Sequence, residues 1–115
     1  KAFKGSVVSY TNEVKENVLG VPAEVIEKHT EVSEECAEEM AKGACKVIGC
    51  DLAISVTGIA GPTGDLPGKP VGTVCFVFAR KNGKVCSETV IFSGNRSEVR
   101  EQAVAHALTG LLQRL

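Results

Sequence analysis

Thr73-Val74-Cys75-Phe76-Val77-Phe78-Ala79, then Lys81-Asn82-Gly83-Lys84, then residues 85–92: this run decides the fold. Its first segment is unbroken, apolar and rich in β-branched and aromatic side chains. It is too short for a helix and predicts a strand covered on both faces. Asn-Gly behind it is the strongest short-range hairpin signal, so residues 85–92 are expected to return as the partner strand. Upstream, Leu52-Ala53-Ile54-Ser55-Val56 is a second compact apolar run between turn residues. It predicts a buried central strand. Gly5-Ser6-Val7-Val8-Ser9-Tyr10 predicts one more short strand.

Helical signals fill the remainder. Thr11 or Asn12 can cap a helix through residues 13–18, which Gly20 stops. Pro22 suits the first turn of a short helix over residues 23–28. Ser33 with Glu34 and Glu35 starts a third, in which Val32, Cys36, Met40, Ala44 and Ile48 recur every four residues. Asn95 and Glu98 make a capping box for the last helix. Val99, Ala103, Ala107, Leu111 and Leu115 mark its buried face, widened by Leu108 and Leu112. The order β-α-α-α-β-loop-β-β-α predicts an α/β three-layer sandwich, with helices on both faces of a mixed sheet that includes one β-hairpin. One domain over residues 1–115 is expected.

Composition narrows the function. The 115 residues carry 13 Lys+Arg and 14 Asp+Glu for a net charge of −1, which excludes a strongly basic nucleic-acid binder. Aromatics are 4%, with no Trp and a single Tyr, so base-stacking platforms are not expected. At 43% hydrophobic residues the chain is no disordered acidic tail. It holds no apolar run of membrane-spanning length and no signal-peptide core, so no membrane partner is expected. Cysteines at 36, 45, 50, 75 and 86 form no Cys-x-x-Cys pair. They read as small core residues in a reducing compartment, with the cytoplasm as the default location.

Chemistry concentrates in two places. The segment from Thr57 to Gly72 holds five of the 12 Gly and three of the four Pro, and starts where a strand ends. Ligands bind at such strand ends in open α/β sheets, and glycines let backbone N–H groups approach an anion. It is no P-loop, because Lys69 is followed by Pro70 and Thr63 stands where a glycine belongs. A ligand loop and a long surface connection both fit the pattern. In the second place, Ser9-Tyr10-Thr11-Asn12-Glu13-Val14-Lys15, Tyr10 and Lys15 flank a strand-to-helix corner and can face one cleft. A lysine held neutral by burial serves as a general base. An exposed Tyr beside a surface Lys fits the same spacing. His29 and His106 lie far apart, and His106 reads as a structural residue beside the last helix's apolar stripe. Arg96 and Arg100, at the start of that helix, suit either a phosphate clamp or a solvated helix end.

Together these segments resemble a family. The residues 5–15 just quoted, Leu19-Gly20-Val21-Pro22, Val32-Ser33-Glu34-Glu35, Thr57-Gly58-Ile59-Ala60-Gly61-Pro62 and Lys69-Pro70-Val71-Gly72-Thr73-Val74 follow in the family's order and spacing. Gly94-Asn95-Arg96-Ser97-Glu98-Val99-Arg100 closes the match. They are similar to the C-terminal domain of competence-damage-inducible CinA proteins, the nicotinamide-nucleotide amidases, and the resemblance covers essentially the whole chain.

That resemblance implies a bacterial amidohydrolase of pyridine-nucleotide recycling. It turns nicotinamide mononucleotide and water into nicotinic acid mononucleotide and ammonia, with no metal or cofactor. A homo-oligomer is implied as well. Lys15 matches the lysine that activates a serine nucleophile, and Tyr10 matches the nearby tyrosine. Asn12, Thr57, Gly58, Gly61 and Arg96 are the implied substrate-binding positions, with Arg96 near the phosphate. The family's serine sits in an Ala-Glu-Ser-x-Thr-Gly-Gly segment, which nothing in this chain matches. Ser6 and Ser9 do not replace it. The domain is therefore expected to be N-terminally incomplete and inactive alone. A non-catalytic domain for nucleotide binding or oligomer contacts is the alternative.

Overall fold

The structure, a computed structural model, describes residues 4–61, 64 and 68–114. Residues 62–63 and 65–67 of the Gly/Pro stretch, and Leu115 of the last helix, lie outside the described residues. The elements run α1 (Asn12–Asn17), α2 (Ala23–His29), α3 (Glu34–Ile48), β1 (Leu52–Gly58), β2 (Thr73–Arg80), β3 (Val85–Ile91) and α4 (Arg96–Arg114).

The hairpin forms as its Asn-Gly turn dictates. Arg80 N donates to Lys84 O at 2.8 Å, and Lys84 N to Asn82 Oδ1 at 3.1 Å. β2 then pairs with β3 from Thr73↔Ile91 to Ala79↔Val85. On its other side β2 pairs with β1 from Leu52↔Arg80 to Gly58↔Val74. β2 is thus central and nearly all buried. Its alternate residues feed two different cores, as the strand's period of two requires. Val74, Phe76 and Phe78 pack with Val99, Ala103 and Ala107 of α4. Cys75, Val77 and Ala79 pack with Ala37 and Ala41 of α3. A third cluster of Leu19, Val21, Cys36 and Met40 binds α1 and α2 to the α3 side. This is the expected α/β layering, with helices on both faces and one hairpin.

The capping signals hold too. Thr11 Oγ1 accepts from Val14 N at 3.3 Å, and Ser33 Oγ from Cys36 N at 3.1 Å. At α4, Asn95 Oδ1 accepts from Glu98 N at 2.9 Å while Glu98 Oε1 accepts from Asn95 N at 2.8 Å. Each such cap contributes about 1 kcal/mol. His106 is structural: it stacks at 4.5 Å on Phe76 and its Nε2 lies 2.5 Å from Glu88 Oε1. Among the described residues no helix is long and apolar enough to cross a membrane.

Three details correct the sequence reading. Residues 5–10 form no strand; they run irregularly, with Val8 84% and Tyr10 89% exposed. Their β-branched composition is a local preference, and a strand needs a neighbour to pair with. Without it, the sheet of described residues is antiparallel throughout instead of mixed. β1 lies at the edge of this sheet and not at its centre, which leaves Val56 partly exposed on the α4 side. Leu108 and Leu112 do not widen the buried face of α4. With Val104 they form an exposed stripe, because a sheet of three described strands is too narrow to lie beneath them.

The inward face of β1 is polar and fully engaged. Ser55 Oγ donates to Ala37 O at 2.5 Å, and Thr57 Oγ1 to Glu31 O at 2.7 Å. Two hydroxyls therefore tie the strand to α3 and to the turn before it, each partnered as burial demands. Gly58, the last residue of β1, is glycine because of close approach. A Cβ there would stand 2.8 Å from Val74 Cγ2 and 3.0 Å from Thr73 O. Gly58→Ala is expected to cost about 1–3 kcal/mol through overpacking, read from urea unfolding, with no loss of helix signal before the transition.

All five thiols are free. Burial pushes the Cys36 and Cys75 thiols above the ordinary value of 9.0, against the opposing pull of Lys15 on the former and of Thr89 on the latter. In the fold both stay protonated where an unfolded chain would already ionise. Stability is therefore expected to be level below pH 9.0 with respect to these groups and to fall as pH rises through it. A Cys36→Ala/Cys75→Ala variant should lose part of that alkaline slope. In the native chain a disulfide reagent should label exposed Cys86 first, and Cys36 and Cys75 only at the rate of unfolding.

Candidate active-site cleft

A cleft of about 410 Å³ opens where β1 ends, between the segment ahead of α1 and the start of α4. That volume is within the range of small-molecule sites. Ser9, Tyr10 and Lys15 form one wall, residues 56–61 the floor, Glu31 and Val32 a second wall, and Arg96 the far rim. The sheet ends there because Gly58 hands the chain to the Gly/Pro stretch, and Ile59 N still bonds Thr73 O at 2.9 Å.

Lys15 is 5% exposed, the only buried residue of α1. The helix is short and capped by Thr11, and its phase turns position 15 inward. Lys15 Nζ donates to Ser9 O at 2.9 Å, which fixes the ammonium against the irregular segment that carries Tyr10. Met40 and Val32 give this wall its apolar background. A buried ammonium with one carbonyl partner keeps further N–H directions for other groups lining the cleft. Tyr10, although it lines the cleft, is almost wholly exposed.

The structure brings together Tyr10, Lys15, Thr57, Gly58, Gly61 and Arg96. It leaves Asn12 outside, exposed at the first position of α1. Thr57 is buried, and its hydroxyl is already committed to Glu31 O. Gly61 has φ 90°, and a Cβ there would press on Val71 Cγ1. The glycine is thus needed by the backbone whatever lies in the cleft. Arg96 Nη1 donates to Gly61 O at 3.1 Å, which leaves the rest of its planar fork facing outward. One cation at each end of the cleft, Lys15 and Arg96, is an arrangement that suits an anionic ligand. Glu31 is a carboxylate that sequence reasoning passed over, since nothing in Thr30-Glu31-Val32 sets it apart from a surface acid. Among the described residues no three His, Cys, Asp or Glu side chains gather as metal ligands.

Known proteins share this arrangement's frame. The chain is similar to a CinA-like protein of Mycolicibacterium gilvum, 51% identical over 104 residues, which are 90% of this chain and 25% of that protein. It is 47% identical over 108 residues to a CinA-like protein of Mycobacterium tuberculosis, across 94% of this chain and 25% of that protein. Among solved structures, competence damage-inducible protein A from Klebsiella pneumoniae superposes with a TM-score of 0.87 at 41% identity. The match covers 91% of this chain and 65% of that one. A competence-damaged protein (CinA) superfamily member from Escherichia coli superposes at 0.89 with 38% identity, covering 94% and 62%. The chain thus spans a quarter of the length of the curated relatives and about two thirds of the solved ones. Residues 1–115 match the family pattern of the CinA C-terminal domain along their whole length, and the chain belongs to that family.

Proposed function

We propose that this domain is part of an amidohydrolase that acts on nicotinamide mononucleotide. The observation that carries the reading is the buried Lys15, held on one cleft wall opposite the Thr57–Gly61 floor, with Arg96 at the far rim. An amide is a poor electrophile and needs an activated nucleophile. In its neutral form Lys15 can take the proton of a serine hydroxyl as the serine oxygen bonds the carboxamide carbon. It returns that proton to nitrogen as the C–N bond breaks and ammonia leaves. Water then cleaves the ester, yielding the carboxylate and restoring the serine. Backbone N–H groups at the start of the Gly/Pro stretch would receive the oxyanion, and Arg96 the phosphate.

The scheme takes its serine from the Ala-Glu-Ser-x-Thr-Gly-Gly segment of the family, which nothing in the 115 residues matches. The alternative, a domain for nucleotide binding or oligomer contacts without catalysis, rests on the lack of a match to the family's serine segment in the 115 residues. A cytoplasmic location and a homo-oligomer belong to the same proposal.

The 115-residue chain alone should release no ammonia from nicotinamide mononucleotide; measurable release would refute the scheme. In a protein that carries both the serine segment and this domain, Lys15→Ala should lower kcat by at least about 10²-fold, the scale of general-base catalysis, with a smaller change in KM. Unchanged kcat would remove Lys15 from the role. Isothermal calorimetry with nicotinic acid mononucleotide separates the alternative, because binding without turnover in the longer protein favours it. The exposed stripe of Val104, Leu108 and Leu112 should make the isolated chain self-associate, and sedimentation as a clean monomer would count against that.

A further inference from the structure

Lys69 stands out among the groups that the proposed reaction does not use. Its ammonium donates to His29 O at 3.0 Å, Thr30 Oγ1 at 3.0 Å and Val32 O at 2.5 Å. A lysine has three N–H donors, and all three are spent on one turn 37 to 40 residues away. That turn is abnormal. Thr30, the C-cap of α2, has φ 73° and ψ 167°, a region that essentially only glycine visits. Among the described residues it is the one non-glycine at positive φ. Such a conformation persists only where its surroundings over-determine it.

The surroundings here are specific. Ser33 Oγ donates to Thr30 O at 2.9 Å, and Thr30 Oγ1 donates to Val32 O at 3.3 Å. The strained turn thereby points two carbonyls and a hydroxyl at a single spot, and Lys69 fills it with positive charge. The residues between those acceptors include Glu31, whose carbonyl accepts from Thr57 and which, with Val32, walls the cleft. Lys69 itself lies in the last part of the Gly/Pro stretch that starts on the cleft floor. Just beyond it, Gly72 N bonds Ile59 O at 2.7 Å and Thr73 Oγ1 bonds Pro70 O at 2.6 Å.

We propose that Lys69 is a positioning residue whose ammonium acts as a tethered cation in an oxygen cage. It holds the strained turn at Thr30 and, through that turn, the Glu31–Val32 wall of the cleft. The cage offers the ammonium two carbonyl oxygens and one hydroxyl within hydrogen-bond distance. With the side chain removed, a small free ammonium ion should take its place. The inference rests on the proposed function only where the cleft is taken as the nucleotide site; the cage itself does not depend on it.

The test is amide hydrogen exchange on the 115-residue chain. Lys69→Ala should speed exchange of the Thr30 and Cys36 amides, which donate to Ile26 O and Ser33 Oγ, at least tenfold, while β2 amides hold their protection. Methylammonium chloride should restore most of it, and tetramethylammonium chloride at equal ionic strength should not. Lys69→Met keeps the aliphatic stem, removes the charge and should exchange as fast as the alanine variant; it also carries the test if Lys69→Ala does not fold. In a Thr30→Gly background, where the strain is relieved, the Lys69 substitutions should matter several-fold less. Wild-type exchange in Lys69→Met overturns the proposal, as does rescue by tetramethylammonium equal to that by methylammonium. Ammonia release from nicotinamide mononucleotide by the longer protein is measured beside it. No release would bring down the proposed function and leave the exchange result for Lys69 standing.

Discussion

β2 has no solvent face, and everything else in the domain is arranged around that fact. Phe76 and Val77 are each 0% exposed although they point to opposite sides. A strand apolar on both faces must be covered twice, so α3 and α4 lie on opposite sides of it whatever the chain does between them. Each large apolar side chain buried in this way contributes about 1.5–3 kcal/mol, and β2 collects several in eight residues. The cleft inherits its position from the same constraint. β1 is fixed by its ladder to β2, so its end at Gly58 is fixed, and the floor of the cleft starts there.

Much of this was readable from residues close together in the chain. Asn82-Gly83 announced the hairpin, and Ser33 and Asn95 announced the two long helices, because turns and caps are satisfied within three or four residues. Failures came where the answer depended on a distant neighbour. Residues 5–10 have the composition of a strand, and composition says nothing of whether a partner lies alongside. Leu108 and Leu112 continue a helical apolar stripe, but the width of the sheet beneath them is a tertiary quantity.

The cleft was legible in a different way. Spacing alone left Tyr10 and Lys15 as one corner among others, and resemblance to the CinA C-terminal domain singled them out. Their approach to Thr57 and Arg96 spans most of the chain and appears only once the fold closes. Lys69 was visible as a residue and invisible as a role. Its partners are two backbone carbonyls and one hydroxyl, and a carbonyl leaves no mark on a sequence. The strain at Thr30 is equally silent, since threonine there violates the preference by which such a position would be guessed.

The two ladders of the sheet differ in one respect with a consequence for how the domain assembles. β2 and β3 are joined by a tight turn, whereas β1 reaches β2 only after residues 59–72. A hairpin of the first kind closes in microseconds. The second pairing must first close a longer loop. The cost of that closure grows only logarithmically with length, about 0.6 kcal/mol for each doubling. The hairpin with α4 is thus the natural early unit, and β1 the later arrival.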